Sequence, residues 1–333
     1  MPTAMQTASK ATHAPQKLVQ AYGANQLTKA DYVHQMHNSL HQHLFTYPGL
    51  LQNSELAEIR LTPDGVVFVQ QATGLMFKCS PTDERAMPID VLNFGRYEPA
   101  EIAMAHKLIN DGDTVLDIGA NMGWYSIGLA HKFEHLSIAA FEPVPATRAL
   151  LTENIALNLD NLGQGSRIMV QNCALTAPGE PESITMYIAP DCGVNASMKN
   201  VAERENAQEV SCPASTLDQW LEEFWVAEAG SELEARVNYI KCDVEGAEWL
   251  VMQGARKTLQ QYQPIVQLEL LRKWAKPYGY HPNTVIEFMQ ELRYTCCVIN
   301  PHGQLEAFTL VDETTQATNY FFLPTTKRHL IET

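Results

Sequence analysis

Positive charge is scarce in this sequence. Of its 333 residues, 23 are Lys or Arg and 38 are Asp or Glu, which gives a formal net charge of −15. Proteins that bind nucleic acid or anionic membranes broadly need a basic face, so we expect neither as a partner. Long apolar runs are missing too, since no segment approaches the roughly 18 apolar residues of a membrane span.

Ordered cysteine patterns are also absent. The seven cysteines are scattered, and no Cys-x-x-Cys pair occurs, so a structural zinc site is not expected and no residue is predicted as a metal ligand. The opening residues, MPTAMQTASKATHAPQK, lack the apolar core of a signal peptide. These absences predict a cytoplasmic protein with free thiols.

The order of the predicted elements indicates an α/β fold. From about Tyr97, apolar β-branched runs alternate with helical stretches, a pattern typical of βαβ units and of a parallel sheet buried on both faces. We predict a Rossmann-like, seven-stranded, mainly parallel sheet. No helix separates the last two strands, so the final strand is expected to be reversed. The predicted strands begin at Val115, Leu136, Arg167, Val237, Ile265, Tyr294 and Tyr320.

The remaining sequence predicts an N-terminal helical and β extension. Thr28 and Asp31 form a helix-capping pattern, with a helix expected to about Phe45, whereas residues 1–27 are expected to be weakly structured. Residues 177–213 interrupt the α/β alternation and are predicted to lie over a substrate site. The predicted divisions are a polar, helical extension at 1–45, a β-rich arm at 46–95, the main domain at 96–325 and a tail at 326–333.

A glycine-containing loop, DIGANMG, follows the first strand of the main domain and begins at Asp117. Gly119 and Gly123 permit positive φ angles and the close approach of a ligand. A dinucleotide fingerprint needs Gly-x-Gly-x-x-Gly, but Asn121 and Trp124 stand at its second and third glycine positions. Asp117 would repel a pyrophosphate and attract a cationic amine and a sulfonium. The loop therefore favours S-adenosylmethionine over NAD.

Glu142 ends the second strand, about 20 residues beyond Gly119, where an acidic residue can accept hydrogen bonds from two ribose hydroxyls. Both candidate ligands carry such a ribose, so Glu142 supports a nucleoside ligand without choosing between them. Cys173 and Ala174 end the third strand and are predicted to pack on the adenine ring.

Acidic residues also follow the fourth and fifth strands. Asp243 and Glu245 come after the fourth strand, and Glu269 ends the fifth. Because the carboxyl ends of parallel strands meet at one edge of a sheet, we predict that these three residues are catalytic and that Asp243 also borders the donor. They could position a hydroxyl, accept its proton or hold a divalent cation such as magnesium, and the sequence leaves these roles open.

Three segments carry a family resemblance: VLDIGANMGWYSIGLA, FEPVPATRALLTENIALN and IKCDVEGAEWLVMQGA. They resemble the FkbM family of S-adenosylmethionine-dependent methyltransferases, as do Gly95–Pro99, Ser215–Asp218 and Asn319–Pro324. The resemblance covers roughly residues 90–325 in the same order. It implies a Rossmann-like sheet and O-methylation of hydroxyls. By matching positions, it implies a methionine-end site at Asp117, Gly119, Asn121 and Gly123, a ribose site at Glu142, and an acidic pair at Asp243 and Glu245.

These observations predict an S-adenosylmethionine-dependent O-methyltransferase. It would transfer a methyl group to a hydroxyl of a sugar, glycan or secondary metabolite by in-line displacement. The alternatives are an NAD-dependent oxidoreductase and a non-catalytic S-adenosylmethionine-binding scaffold. The expected partner is a small-molecule or glycan acceptor, and residues 1–45 leave a homo-oligomer open.

Overall fold

The computed structural model describes residues 15–189, 192–200, 206–225 and 236–331. The parts of the predicted extension, insertion and tail at 1–14, 190–191, 201–205 and 332–333 lie outside the described residues. Among the described residues, the α-helices are α1 (15–23), α2 (Lys29–Ser39), α3 (Tyr47–Leu51), α4 (Met87–Phe94), α5 (Pro99–Leu108), α6 (Trp124–Lys132), α7 (Pro145–Leu157), α8 (Leu217–Trp220), α9 (Glu248–Gly254), α10 (Arg256–Tyr262), α11 (Arg272–Ala275) and α12 (Pro282–Glu291).

The strands form three sheets. They are β1 (Leu56–Thr62), β2 (Gly65–Gln70), β3 (Met76–Phe77), β4 (Thr114–Ile118), β5 (Ser137–Phe141), β6 (Arg167–Gln171), β7 (Ala174–Leu175), β8 (Ser183–Ala189), β9 (Cys192–Ser197), β10 (Gln208–Ser215), β11 (Tyr239–Cys242), β12 (Ile265–Glu269), β13 (Tyr294–Ile299), β14 (Leu305–Ala307) and β15 (Asn319–Pro324).

The main sheet has eight strands in the order β14-β13-β15-β12-β11-β4-β5-β6. Neighbouring strands from β12 to β6 in this order are parallel, whereas β15 runs antiparallel to both β12 and β13. The Rossmann-like fold and the reversed last strand are therefore confirmed. The predicted seven strands are all present, and β14 adds a short eighth strand at the edge.

Apolar clusters cover both faces of this sheet, which explains the continuous apolar character of its strands. Leu116 and Ile240 point into one cluster, and Val115 and Tyr239 point into the other. The chain visits β5 and β6 between β4 and β11, yet β4 and β11 are neighbours. Ligands of doubly wound sheets bind outside the carboxyl ends of the strands at such a switch in strand order.

The β-rich arm is a three-stranded antiparallel sheet, β1-β2-β3. A tight turn joins β1 to β2, with Thr62 paired to Gly65. Leu56, Phe68 and Phe77 pack in one cluster with Trp124, the first residue of α6. The arm therefore rests on the helix that follows the glycine loop.

The segment that interrupts the α/β alternation supplies most of a second sheet, in the order β7-β10-β8-β9. Within this segment the sequence predicts a short strand at Ser183–Ile188, which is present as β8. β10 pairs parallel with β7 and antiparallel with β8, so the inserted strands are anchored beside the end of β6.

The N-terminal extension contributes no buried residue in α2 or α3. The Thr28 cap is confirmed, since its side chain accepts from the N–H of Asp31 at 3.1 Å. The expected weak structure over residues 1–27 is wrong for α1, which is helical. Among the described residues, no helix combines the length and the hydrophobicity that crossing a bilayer requires.

Candidate active site

The carboxyl ends of β4, β5, β11 and β12 surround a cavity of about 380 Å³. This volume lies within the ~300–1,000 Å³ that is usual for small-molecule sites. Of the predicted site residues, Gly123 alone is not part of the lining. The lining includes Asp117, Gly119, Asn121, Glu142, Cys173, Ala174, Asp243, Glu245 and Glu269.

The glycine loop packs tightly against its neighbours. Gly119 and Gly123 have φ angles of 85° and 94°, as a strand-to-helix turn of this kind requires. A Cβ on Gly119 would lie 1.9 Å from the carbonyl oxygen of Asp243, and one on Gly123 would lie 2.6 Å from Leu151. The space that these glycines leave is filled by protein, so both are needed for the packing of the loop.

Asp117 is 1% exposed at the end of β4. Its Oδ2 accepts a hydrogen bond from Ser126 Oγ at 2.6 Å, whereas its buried Oδ1 has no hydrogen-bond partner in the described structure. Burial raises the pKa of this carboxyl above its ordinary value. One oxygen is therefore bound by Ser126 of α6, and the other can accept a hydrogen bond from a ligand in the cavity.

Glu142 is buried at the end of β5 and ties two loops together. Its Oε2 accepts the N–H of Asn121 at 3.2 Å, and its Oε1 accepts the N–H of Val144 at 2.9 Å. Burial raises the pKa of Glu142 to about 7. Since a carboxylate oxygen can accept more than one hydrogen bond, both oxygens can still accept from a ligand.

Asp243, Glu245 and Glu269 form an acidic cluster. Each offers a carboxylate oxygen, and these oxygens all lie within 4.8 Å of one another. Burial and the nearby Asp243 carboxylate raise the pKa values of both Glu245 and Glu269. Lys241 Nζ lies 3.3 Å from Asp243 Oδ2, so Asp243 pairs with a buried cation.

Glu248 lies in the same segment of sequence as Asp243 and Glu245 but has a structural role. Its Oε1 accepts the N–H groups of Val244 and Gly246 at 3.0 and 3.1 Å, and Tyr280 donates to its Oε2 at 3.1 Å. Glu248 is absent from the cavity lining. It fixes the turn that carries the acidic cluster.

Cys173 and Ala174 line the cavity after β6, whereas the acidic cluster lies at the ends of β11 and β12. Burial raises the pKa of the Cys173 thiol to about 11, so the side chain is a neutral thiol at physiological pH. Its predicted contact with an adenine ring stays a prediction.

Sequence reasoning missed Glu98 and Lys241 as site residues. Glu98 lines the cavity from the N-terminus of α5 and has a left-handed backbone, with φ at 41°. Lys241 is 6% exposed and interacts electrostatically with Asp243, Asp117 and Glu98. The available signal for Glu98 was its place in the Gly95–Pro99 block, immediately before the proline that begins α5.

Comparison with known proteins gives a consistent result. The model of the methyltransferase FkbM domain matches residues 117–296. The chain is 26% identical to methyltransferase sdnD of Sordaria araneosa over 189 residues, which cover 50% of this chain and 68% of the relative. It is 28% identical to methyltransferase 1 of Beauveria bassiana (strain ARSEF 2860) over 160 residues, which cover 43% of this chain and 59% of the relative.

Among solved structures, the chain is similar to the crystal structure of methyltransferase FkbM from Methylobacillus flagellatus KT. The TM-score is 0.36 and the identity is 13%, over 86% of this chain and 60% of that chain. The match therefore leaves a substantial part of that protein without a counterpart.

Proposed function

Because the chain belongs to the FkbM methyltransferase family, we propose that it is an S-adenosylmethionine-dependent O-methyltransferase acting on a hydroxyl of a sugar, glycan or secondary metabolite. The observation that carries this proposal is one cavity lined by carboxylates from the carboxyl ends of neighbouring strands. Glu142 and Asp117 lie at the ends of β5 and β4, and Asp243, Glu245 and Glu269 gather at the ends of β11 and β12. Six cysteines are free thiols, which supports a cytoplasmic location: Cys79, Cys173, Cys212, Cys242, Cys296 and Cys297.

The strand order suggests how the donor lies. Glu142 and Asp243 follow β5 and β11, and Asp117 lies near the end of β4, which is the strand between them. Neighbouring strands are about 4.8 Å apart, so these residues span about 10 Å along the edge of the sheet. We place the ribose at Glu142, the methionine part beside Asp117 and the sulfonium methyl toward Asp243.

The proposed reaction is an in-line displacement. The acceptor oxygen forms a bond to the methyl carbon, the C–S bond breaks, and its electron pair stays on sulfur to give S-adenosylhomocysteine. The hydroxyl proton passes to Asp243, the cluster member that pairs with Lys241. Since the methyl group is already activated, the protein mainly aligns the acceptor, which can supply up to about 7–11 kcal/mol.

A divalent cation is a second way to activate the hydroxyl at this cluster. Oxygen ligands from Asp243, Glu245 and Glu269 suit a cation such as magnesium, and their 4.8 Å spread allows one to sit between them. When bound, such a cation would lower the pKa of the acceptor hydroxyl. Assays with added magnesium and with a chelator distinguish this route from proton transfer to Asp243 alone.

Calorimetric titration tests the donor assignment. We expect S-adenosylhomocysteine to bind in the micromolar range and NAD not to bind. Glu142→Ala should weaken the S-adenosylhomocysteine complex by about 1.5–3 kcal/mol, as expected for lost hydrogen bonds to a charged group. The exposed Glu134 offers a matched control, Glu134→Ala, which should leave the affinity unchanged.

Three outcomes would contradict parts of this proposal. Binding of NAD alone would favour an oxidoreductase. Full affinity in Glu142→Ala would remove its ribose role. Tight binding of S-adenosylhomocysteine with no transfer to any sugar or metabolite acceptor would favour a non-catalytic scaffold.

A further inference from the structure

Four residues that line the cavity have a buried carboxylate oxygen that accepts no hydrogen bond within the described structure: Asp90 Oδ1, Glu98 Oε2, Asp117 Oδ1 and Glu245 Oε2. Asp90 pairs with Arg85, and Glu245 belongs to the acidic cluster, which leaves Asp117 and Glu98. Both residues line the same cavity, and both carboxylates interact electrostatically with Lys241 and Asp243. Buried anionic oxygens are expensive to leave without a donor, and native proteins rarely do so without a reason.

The resident cation does not satisfy these oxygens. Lys241 Nζ makes its hydrogen bond to Asp243 Oδ2 at 3.3 Å and lies 4.7 Å from the centre of the Tyr125 ring. Its attraction for Glu98 and Asp117 is through space only. Room is therefore left for a second positive group that can donate to both carboxylates.

The placement of Glu98 is built into the fold. Pro99 begins α5 directly after it, and its left-handed backbone sets the direction in which the side chain leaves the helix. Asn319 Nδ2, at the start of β15, lies 3.5 Å from Glu98 Oε1. This contact orients one carboxylate oxygen and leaves Oε2 open to the cavity.

We propose that Glu98, together with Asp117, binds the ammonium group of the donor's methionine part. This inference rests on the proposed function, because that function supplies the donor. In the donor the sulfonium joins the ribose to the methionine chain, so with the ribose at Glu142 the ammonium group lies beyond the sulfur, in the cavity that Asp117 and Glu98 line. An ammonium group has three N–H donors, so it can donate to both oxygens.

Glu98 is distinct from the residues already assigned. It lies outside the matched segment, residues 117–296, and outside the three carboxylates that gather within 4.8 Å of one another. Its role is therefore recognition of the donor, and the acidic cluster remains free for the acceptor.

A double-mutant cycle, in which one change is made in the protein and the other in the ligand, tests this proposal. The variant is Glu98→Gln, which keeps the shape of the side chain and removes its charge. The ligands are S-adenosylhomocysteine and its analogue without the amino group, both titrated by calorimetry. The control is Glu101→Gln, an acid on the first turn of the same helix that does not line the cavity.

Glu98→Gln should weaken the binding of S-adenosylhomocysteine at least tenfold and change the binding of the deaminated analogue less than twofold. Glu101→Gln should change neither. Thermal unfolding of each variant is measured in parallel. If Glu98→Gln does not fold, the wild-type protein still provides a test, since it should bind the deaminated analogue at least tenfold more weakly.

Equal losses for the two ligands in Glu98→Gln would show that Glu98 acts through loop structure, and would overturn the proposal. Equal wild-type affinity for the two ligands would overturn it as well, while leaving the methyltransferase assignment intact. Wild-type protein that binds neither ligand would overturn both the proposed function and this inference.

Discussion

At the scale of single residues, the surroundings separate carboxylates that look alike in the sequence. Asp243, Glu245 and Glu248 lie within one short block, yet Glu248 accepts backbone N–H groups and Asp243 pairs with Lys241. The block therefore combines a structural carboxylate with carboxylates that are exposed to the cavity. Substitutions at these positions should have different consequences.

Asp243→Asn should retain donor binding and lose turnover. The substitution keeps the size of the side chain but removes the group that we expect to take the hydroxyl proton. General bases contribute about 10²–10⁴-fold, so a loss within this range is expected in single-turnover assays. Asp64→Asn, in the exposed turn between β1 and β2, serves as the control. A rate within about threefold of wild type would exclude Asp243 as the base.

The predictability of the site residues depends on local sequence. Asp117 and Glu142 could be found because each has a fixed relation to the glycine loop, and the structure places both at the cavity. Glu98 could not be found in this way. Its position depends on Pro99, on Asn319 from the far end of the chain and on the cavity itself, and none of these is visible in a local pattern.

At the scale of elements, the glycine loop packs against the turn after β11, which carries Asp243 and Glu245. A Cβ on Gly119 would lie 1.9 Å from the Asp243 carbonyl oxygen, and φ at this position is 85°. The glycine loop and the turn after β11 are therefore in direct backbone contact. A substitution that moves one loop should therefore displace the other.

Gly119→Ala should destabilise the protein by about 1–3 kcal/mol and abolish donor binding, because the loop must move away from Asp243. Gly128 is the matched control. It lies inside α6, and its Cβ would meet nothing within 4 Å. Gly128→Ala should stabilise the protein by about 0.4–1 kcal/mol. Denaturant unfolding of both variants measures this difference, and equal effects would contradict the packing argument.

Whether a segment forms a helix or a strand was more predictable than where that element begins and ends. Long β-branched runs identified the strands of the main sheet, but β14 has only three residues and gives no such pattern. The sequence predicts one helix over 247–259, whereas the structure has α9 and α10, which meet at Ala255. Gly254 at this junction packs close to the Thr176 carbonyl oxygen, a long-range contact that apolar periodicity cannot report. The helix predicted from Thr28 to Phe45 likewise ends at Ser39, where a 3₁₀ turn takes over.

At the scale of the whole molecule, negative charge is concentrated as well as abundant. The net charge is −15, and several acids lie buried around one cavity. Burial raises the pKa values of Glu142 and Glu248 to about 7. It also raises those of Glu245 and Glu269, where the neighbouring Asp243 adds to the effect. The folded protein therefore holds protons that the unfolded chain releases.

This difference predicts that the ligand-free protein loses stability as the pH rises. Unfolded glutamates titrate near 4.3, whereas Glu142 and Glu248 titrate at about 7 in the folded state. Between these values the folded state binds more protons, so the free energy of unfolding falls as the pH increases through this window. The raised pKa values of Glu245 and Glu269 extend the fall to higher pH. The lowered pKa of His106 acts in the opposite direction near neutrality, but it is one group against several.

Thermal unfolding from about pH 5 to pH 9 checks the sign of this effect. The melting temperature should fall over that range. Glu248→Gln should flatten the fall between about pH 5 and pH 7, because its neutral side chain has no proton to lose. Glu134→Gln, at an exposed position, should leave the slope unchanged. A melting temperature that rises steadily from about pH 5 to pH 8 would contradict this prediction. It would mean that these carboxylates are charged in the folded protein and that a bound cation compensates their charge.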